Sequence, residues 1–256
     1  MATYFVHPNS IVRQIWGKAD TILFIFAGAS AEFALNKSVD WLYFTGRLPS
    51  DPLGRLFSTV SYSRQILFSE HDAALRSIDQ ITAIHKNVEA NRGMNIPDEA
   101  YLDVLYLLID YSIRSYELLE RRLTEAEKAE VFQVFYRVGK RMGLVGLPSD
   151  YYDWLSKRET QLADSLCSGD LTRDLYRQYK KHLGFIRYNV LKQAQLLLVP
   201  NRVKTLLGLG NVRWLLPVLF VYKLFRLVRL QNVLKNAILP PSYAAQVQAM
   251  DNVPGY

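Results

Sequence analysis

The chain has 256 residues, half of them hydrophobic, which is enough to form a full core in one large domain or two small ones. Its single cysteine, Cys167, excludes an intramolecular disulfide and a thiolate metal cluster, and favours a reducing compartment. The net charge of +7 is polarised, because residues 171–235 contain 13 Lys and Arg with one acid and carry +12, which leaves −5 elsewhere. This basic segment indicates an anionic partner, such as a lipid surface, an acidic protein or nucleic acid, or else a solvated basic face.

The domain organisation predicted from the sequence is one helical domain between two tails. No Gly-, Ser- or Pro-rich run is long enough for a linker, and no internal repeat occurs. We expect a tail at 1–9, the domain at 10–209, a basic amphipathic helix at 210–240 and a tail at 241–256. The first residues lack a basic segment followed by an apolar core, so we expect no secretory signal and a cytoplasmic location.

The first helices are predicted from a cap and from an apolar run. Ser10 can cap a short helix over 10–19, and a nearly uncharged apolar helix follows over 21–35. Fifteen such residues span about 22 Å against a hydrocarbon core of about 30 Å, which predicts a buried core helix and not a membrane span. Glu32 lies inside this helix, either at its edge or in a polar pocket. The aromatic stretch 41–47 is predicted to be irregular.

The next helix begins at Asp51-Pro52, where the aspartate can cap the helix and the missing proline N–H costs nothing. Arg55 and Thr59 are four residues apart on this helix and share a face, with Ser58 beside them. A guanidinium and a hydroxyl in this arrangement can bind a carboxylate, or can bond each other and solvent.

The stretch 69–92 carries the strongest functional signal in the chain. Residues at three- and four-residue steps place one histidine among apolar side chains on a single helical face: Leu75, Ile78, Ile81, His85 and Val88. That imidazole needs a partner, because an unpaired buried polar group costs about 1–3 kcal/mol. His85 is therefore either the proximal ligand of a haem iron or a core histidine bonded to a neighbouring hydroxyl or carbonyl.

The second half of the chain also reads as helical. Helices are predicted over 98–119, from a capping box at Thr124 to about 142, and from a cap at Ser149. No stretch alternates with a period of two residues, so we predict an all-α protein of about ten helices. Besides Glu32, Asp110 and Tyr106 are lesser candidates for proton handling.

The basic segment ends in an amphipathic and cationic stretch. An apolar run over 214–222 is interrupted by Pro217 and followed by Lys223, Arg226 and Arg229 at three-residue steps. This pattern fits a helix that lies in a membrane interface with its cations toward the headgroups. It fits equally a terminal helix that packs on the core and covers the edge with its cationic stems.

Several short motifs, in order and spacing, resemble the latex-clearing (rubber oxygenase) catalytic domain family, which includes the membrane-bound oxygenase of mycophenolic acid biosynthesis. They cover roughly residues 6–200. The motifs are Val6-His7-Pro8, Asp51-Pro52-Leu53-Gly54-Arg55-Leu56-Phe57-Ser58-Thr59, Ala83-Ile84-His85, Tyr116-Glu117 ahead of Leu123-Thr124-Glu125-Ala126-Glu127, and Gly143-Leu144-Val145-Gly146-Leu147-Pro148.

The resemblance implies a globin-like helical core around one b-type haem, with His85 as the proximal iron ligand. It implies an oxygenase that uses dioxygen on an apolar alkene, isoprenoid or lipid-like substrate, with Arg55 and Thr59 bonding a haem propionate or the oxygen. In rubber-cleaving members a lysine that precedes this threonine can cap the distal side of the iron. Ser58 stands there in this chain, and its short hydroxyl predicts a distal site that is open or holds water.

Two histidines that are common in such relatives are missing. Ala27-Gly28-Ala29 stands where many relatives carry Ala-His-Pro, and Tyr106 lies near the position of another histidine. These losses would permit a haem-binding sensor or carrier without turnover. A cofactor-free helical scaffold at a membrane surface is another alternative, for which the +12 segment would be the functional part.

The anionic partner favoured by the sequence is a lipid surface. Peripheral membrane contact through 210–240 would let an enzyme draw a lipid-soluble substrate from a bilayer. Nucleic-acid binding is not expected, because the basic segment is too apolar. The substrate, redox partner and oligomeric state remain open.

Overall fold

A computed structural model describes residues 3–46 and 50–227. At residues 42, 53, 56 and 224–227 it describes only the backbone. The α-helices of the described residues are α1 (Ile11–Trp16), α2 (Ala19–Phe33), α3 (Asp40–Phe44), α4 (Pro52–Phe68), α5 (His71–Arg92), α6 (Asp98–Leu119), α7 (Glu125–Met142), α8 (Tyr151–Asp164), α9 (Asp170–Leu198), α10 (Asn201–Leu206) and α11 (Leu215–Leu227). In this part of the chain the only β pairing is isolated bridges. The prediction of a single all-α domain is therefore confirmed.

Three of the predicted helix caps are confirmed by hydrogen bonds. The Ser10 hydroxyl accepts the N–H of Val12 at 3.1 Å at the start of α1. The Asp51 carboxylate accepts the N–H of Gly54 at 2.9 Å, and Pro52 occupies the first turn of α4. Thr124 and Glu127 form the predicted capping box at the start of α7, with each side chain bonded to the other residue's backbone N–H. Capping satisfies backbone donors that the first helical turn leaves without partners.

The prediction that Ser149 caps α8 is wrong. Asp150 is the cap, and its carboxylate accepts the N–H groups of Tyr152 and Asp153 at 2.8 and 2.9 Å. The N–H of Ser149 instead donates to the Asp153 carboxylate. A carboxylate that accepts two N–H groups and faces the positive end of the helix dipole is a better cap than a hydroxyl.

The aromatic stretch at 41–47 is less irregular than predicted. A 3₁₀ turn at Lys37–Val39 leads directly into α3 (Asp40–Phe44). The turn begins because the Asn36 side chain accepts the N–H of Ser38 at 2.7 Å. Helical geometry therefore starts ahead of the aromatic residues, where the sequence contains no strong periodic signal.

The segment expected to be an N-terminal tail is packed where the structure describes it. Phe5 and Val6 are buried in the main core, and the carbonyl of Thr3 accepts the N–H of His71 at 2.7 Å. Tyr4 pairs with Glu70 as an isolated bridge. The predicted C-terminal tail at 241–256 lies outside the described residues.

Helix α2 is the centre of the fold, as its apolar composition predicts. Ile22 and Ile25 are completely buried, and α2 packs against α1, α6 and α9. Across the described residues, helices long and apolar enough to cross a membrane are absent.

The basic region packs on this core through α9 and α11. Helix α9 bends at Gly184, whose left-handed φ of 71° no other residue adopts easily, and then runs across α2. Helix α11 contacts α9 and buries Leu215, Leu219 and Tyr222. The described part of 210–240 therefore packs on the domain. Arg229 and the side chain of Arg226 lie outside the described residues.

Candidate cofactor cavity and active site

A cavity of about 990 Å³ is enclosed mainly by α2, α4, α5, α6, α9 and α11. Cofactor sites in proteins typically occupy about 300–1,000 Å³ and are mostly apolar with a few placed polar groups. The wall of this cavity is mostly apolar and includes Leu23, Phe24, Ala27, Ile81, Leu108 and Leu191. Its polar lining residues include His85, Arg55, Thr59, Asp20 and Asn36. The cavity has the size and character of a cofactor or apolar-ligand site.

His85 lies in this wall, on the face of α5 that its apolar neighbours predicted. Its Nδ1 atom is completely buried and has no hydrogen-bond partner among the described residues. Burial lowers the pKa of the imidazole, and the charge of Arg55 lowers that pKa further, against an opposing effect of Glu89. The ring is therefore neutral near pH 7, which is the form that binds metals. The alternative of a core histidine bonded to a hydroxyl or carbonyl is not observed for Nδ1.

Tyr101 and Glu89 hold the surroundings of His85 in place, and sequence analysis missed both. The ring centroids of Tyr101 and His85 are 5.2 Å apart, at an angle of 59°. The Tyr101 hydroxyl donates to Glu89 Oε1 at 3.3 Å, and the same oxygen accepts the N–H of Ile96 at 2.8 Å. Glu89 is four residues after His85, so the helical period alone could have placed it on the same face.

Arg55 and Thr59 also lie in the cavity wall, on the helix face that their four-residue spacing predicts they share. The Thr59 hydroxyl donates to the Arg55 carbonyl at 3.0 Å, so its oxygen is left as an acceptor toward a ligand. Ser58 is not among the lining residues, and its hydroxyl donates to the same carbonyl at 2.8 Å. The structure therefore brings His85, Arg55 and Thr59 to one cavity but leaves Ser58 outside its wall.

The two positions where relatives carry histidines have clear structural roles here. A Cβ atom on Gly28 would lie 2.3 Å from Cδ1 of Tyr111, so the tyrosine ring occupies the space of any side chain at this position. Tyr106 packs edge-on against Trp154, with ring centroids 6.4 Å apart, and is not among the lining residues. Neither position offers a polar side chain to the cavity.

Glu32 and Asp110 belong to a buried ionic cluster centred on Arg158, a residue that sequence analysis missed. The Arg158 Nη2 atom lies 2.7 Å from Glu32 Oε2 and 2.8 Å from Asp110 Oδ2. Tyr111 donates to the same Glu32 oxygen at 2.9 Å, and Arg158 also bonds Gln161. Glu32 thus occupies a polar pocket and not a helix edge. Glu32, Asp110 and Tyr106 are not among the residues that line the cavity, so their predicted proton handling gains no support.

The described His, Cys, Asp and Glu side chains do not form a site for a metal ion without a cofactor. Within residues 3–46 and 50–227, no group of three or more His, Cys, Asp or Glu side chains is placed to hold a metal ion. A porphyrin differs from a bare ion because it supplies four ligands itself and needs one or two from the protein. His85 is the one histidine among the described residues of the cavity wall, and its imidazole could supply such a ligand.

Comparison with known proteins identifies the family. The model of the family described as "ER-bound oxygenase mpaB/B'/Rubber oxygenase, catalytic domain" matches residues 16–244. No curated protein and no solved structure matches the chain. The matched residues include His85, Arg55 and Thr59, as well as all of the helices that enclose the cavity. The chain therefore belongs to the mpaB and rubber oxygenase catalytic-domain family, as its motifs predicted.

Proposed function

We propose that the chain is a haem-dependent oxygenase that acts on an apolar alkene, isoprenoid or lipid-like substrate, with His85 as the iron ligand. The observation that carries this proposal is the buried Nδ1 of His85, which has no partner in the wall of a large apolar cavity. A neutral imidazole in a cavity wall of this kind can bind a metal through a ring nitrogen. The family supports the oxygenase class.

The residues of the cavity fit a haem group. His85 would hold the iron, because burial and Arg55 keep its imidazole neutral. The Arg55 guanidinium would bind a propionate carboxylate, which planar paired donors recognise well. A bound haem would supply the redox-active iron that activates dioxygen. The apolar side chains of α2, α6 and α9 would cover the porphyrin faces and exclude water.

The mostly apolar composition of the cavity wall favours an apolar substrate. Although several hydroxyl, amide and charged side chains line the cavity, most of the surface of its wall is apolar. A polar substrate would lose its hydration in such a cavity without gaining enough hydrogen bonds. An alkene or isoprenoid chain would instead gain free energy by leaving water.

An absorption spectrum of the purified protein tests the cofactor. We expect a Soret band in the wild type that is lost in His85→Ala and retained in His71→Ala. His71 is the matched control, since it lies on the same helix but is exposed and outside the cavity wall. Absence of the band in the wild type, or its persistence in His85→Ala, would overturn the assignment of His85.

A haem-binding sensor or carrier is the second candidate function. It is favoured by Gly28 and Tyr106, which stand where relatives carry histidines and which offer no polar group to the cavity. Oxygen uptake with a panel of polyisoprenes and fatty acids separates the two functions. Uptake that requires His85 indicates an oxygenase, and haem binding without uptake of oxygen indicates a carrier. A wild-type protein that binds no haem would favour the third alternative, a cofactor-free helical scaffold at a membrane surface.

A further inference from the structure

Helix α11 is apolar on two opposite faces. Leu215, Leu219 and Tyr222 are buried and line the cavity. On the other side, Leu216, Phe220 and Val221 are 42%, 66% and 46% exposed. A helix between a protein core and water normally has one apolar stripe and one polar face. The outer face of α11 therefore has the composition of a surface that meets an apolar phase.

The surroundings of α11 indicate which apolar phase this is. Trp214 precedes the helix and is 43% exposed, and Arg213 and Lys223 flank the apolar run. Tryptophan and basic residues beside exposed apolar side chains are typical of helices in a lipid interface. The segment 171–235 carries +12, which complements anionic headgroups and would repel a second copy of the same surface.

The inner face of α11 is tied to the start of α2 by a hydrogen bond across the cavity wall. The Tyr222 hydroxyl donates to Asp20 Oδ2 at 2.8 Å. The other oxygen of Asp20 accepts the N–H of Thr21 at 2.8 Å, so the carboxylate is held in the first turn of α2. A hydrogen bond to a charged group is stronger than one between neutral groups. Tyr222 thus contributes a specific polar contact beside the apolar contacts of Leu215 and Leu219.

We propose that α11 is the membrane-facing wall of the cavity, through which the apolar substrate passes from an anionic lipid bilayer. The outer face, Leu216, Phe220 and Val221, lies in the lipid interface, and the inner face closes the cavity. The hydrogen bond between Tyr222 and Asp20 holds the helix in the closed position. The substrate class rests on the proposed function, whereas binding of the bilayer and opening of α11 do not.

Flotation with vesicles tests the membrane surface. The full chain is mixed with vesicles of phosphatidylcholine alone or of phosphatidylcholine with phosphatidylserine. We expect binding to the anionic vesicles, and a loss of about tenfold or more in the double variant Phe220→Ser/Val221→Ser, since each buried side chain of this size contributes more than a factor of ten. The matched control is Val145→Ser/Tyr152→Ser, whose two side chains are each 67% exposed and do not belong to α11.

Three results, two from flotation and one from the oligomeric state in solution, would overturn the proposal. The first is a wild type that does not bind anionic vesicles. The second is an equal loss of binding in the control variant. The third is a wild-type dimer in solution that the Phe220→Ser/Val221→Ser substitution converts to a monomer, which would show that a second copy covers this face. None of these measurements requires haem or turnover, so failure here is distinct from failure of the proposed function.

The substitution Tyr222→Phe tests the closing bond without removing the ring. Diphenylhexatriene becomes fluorescent in an apolar environment, and the rate of this change in the haem-free full chain reports access to the cavity. We expect the rate to rise roughly 10- to 100-fold, as loss of one hydrogen bond to a charged group predicts. Tyr43→Phe is the control, because Tyr43 donates to Asp174 at 3.2 Å but does not line the cavity. An unchanged rate in Tyr222→Phe, or an equal rise in the control, would overturn the proposal that this hydrogen bond holds α11 in the closed position.

Discussion

Two buried polar regions lie on opposite sides of α6, and they differ in how their central side chains, Arg158 and His85, are paired. In the Arg158 cluster, the guanidinium donates to Glu32, Asp110 and Gln161. In the cavity, His85 Nδ1 has no partner among the described residues. Buried polar groups that serve the fold are almost always hydrogen-bonded. The comparison contrasts a guanidinium that has three protein partners with an imidazole nitrogen that has none in the described part of the chain, although both regions contain titratable side chains.

The same helices supply both regions. Helix α6 directs Asp110 toward Arg158 and directs Tyr101 and Leu108 toward the cavity. Helix α2 does likewise, with Glu32 in the cluster and Leu23 in the cavity wall. Substitutions in the cluster should accordingly affect folding stability, whereas substitutions at His85 should affect ligand binding.

Arg158→Met is expected to have the largest effect on stability. It leaves Glu32 buried without its cation and leaves Asp110 with Arg114 as its remaining cation, and breaking a buried ion pair in this way typically costs about 3–5 kcal/mol in the free energy of unfolding. Urea unfolding measures the change. Arg141→Met is the control, because the pair of Arg141 and Asp79 is exposed to solvent, where an ion pair contributes little to stability. Similar losses in both variants would contradict the structural role of the cluster.

Gly28→Ala is expected to lower the stability of the protein, because Gly28 packs against Tyr111, which bonds Glu32 of the Arg158 cluster. The added methyl would collide with the Tyr111 ring, and overpacking of this kind costs about 1–3 kcal/mol despite the better helix propensity of alanine. Thermal unfolding checks the sign. The same change in a Tyr111→Leu background should cost less, and Gly210→Ala, where nothing lies within 4 Å, serves as the control. A stabilised Gly28→Ala protein would show that Tyr111 moves aside without cost.

His85→Leu is expected to act in the opposite direction to Arg158→Met. In the haem-free protein it removes an unpaired buried nitrogen from an apolar wall, so the free energy of unfolding should rise by about 1 kcal/mol. Urea unfolding of the haem-free wild type and variant measures this difference. A loss of several kcal/mol would instead mean that His85 holds the fold together.

The smallest expected effect is the pH dependence of the difference in unfolding free energy between the haem-free wild type and His85→Leu. The folded protein lowers the pKa of His85 below its ordinary value of 6.5, mainly by burial and then through Arg55. Below about pH 6.5 the unfolded chain therefore binds a proton that the folded chain does not, so wild-type stability falls as the pH decreases toward the lowered pKa. His85→Leu lacks this loss, and its advantage should widen over that window. A constant difference from pH 7 to pH 5 would contradict the lowered pKa.

Local sequence signals determined the helices and the faces of several side chains. The carboxylate of Asp51, the capping box of Thr124 and Glu127 and the helical period around His85 act within one or two turns, so they can be recognised without the rest of the chain. The prediction that His85 faces the interior, and that Arg55 and Thr59 share a face, follows from the same short-range periodicity.

Only the tertiary structure decided which of these interior groups have partners. Arg158 is 126 residues from Glu32 in sequence, and Tyr222 is 202 residues from Asp20, so no local pattern relates them. Whether His85 Nδ1 is satisfied depends on every element that packs against α5. Pairing of buried polar groups is a property of the assembled core, because the donor and the acceptor meet only after distant helices pack together.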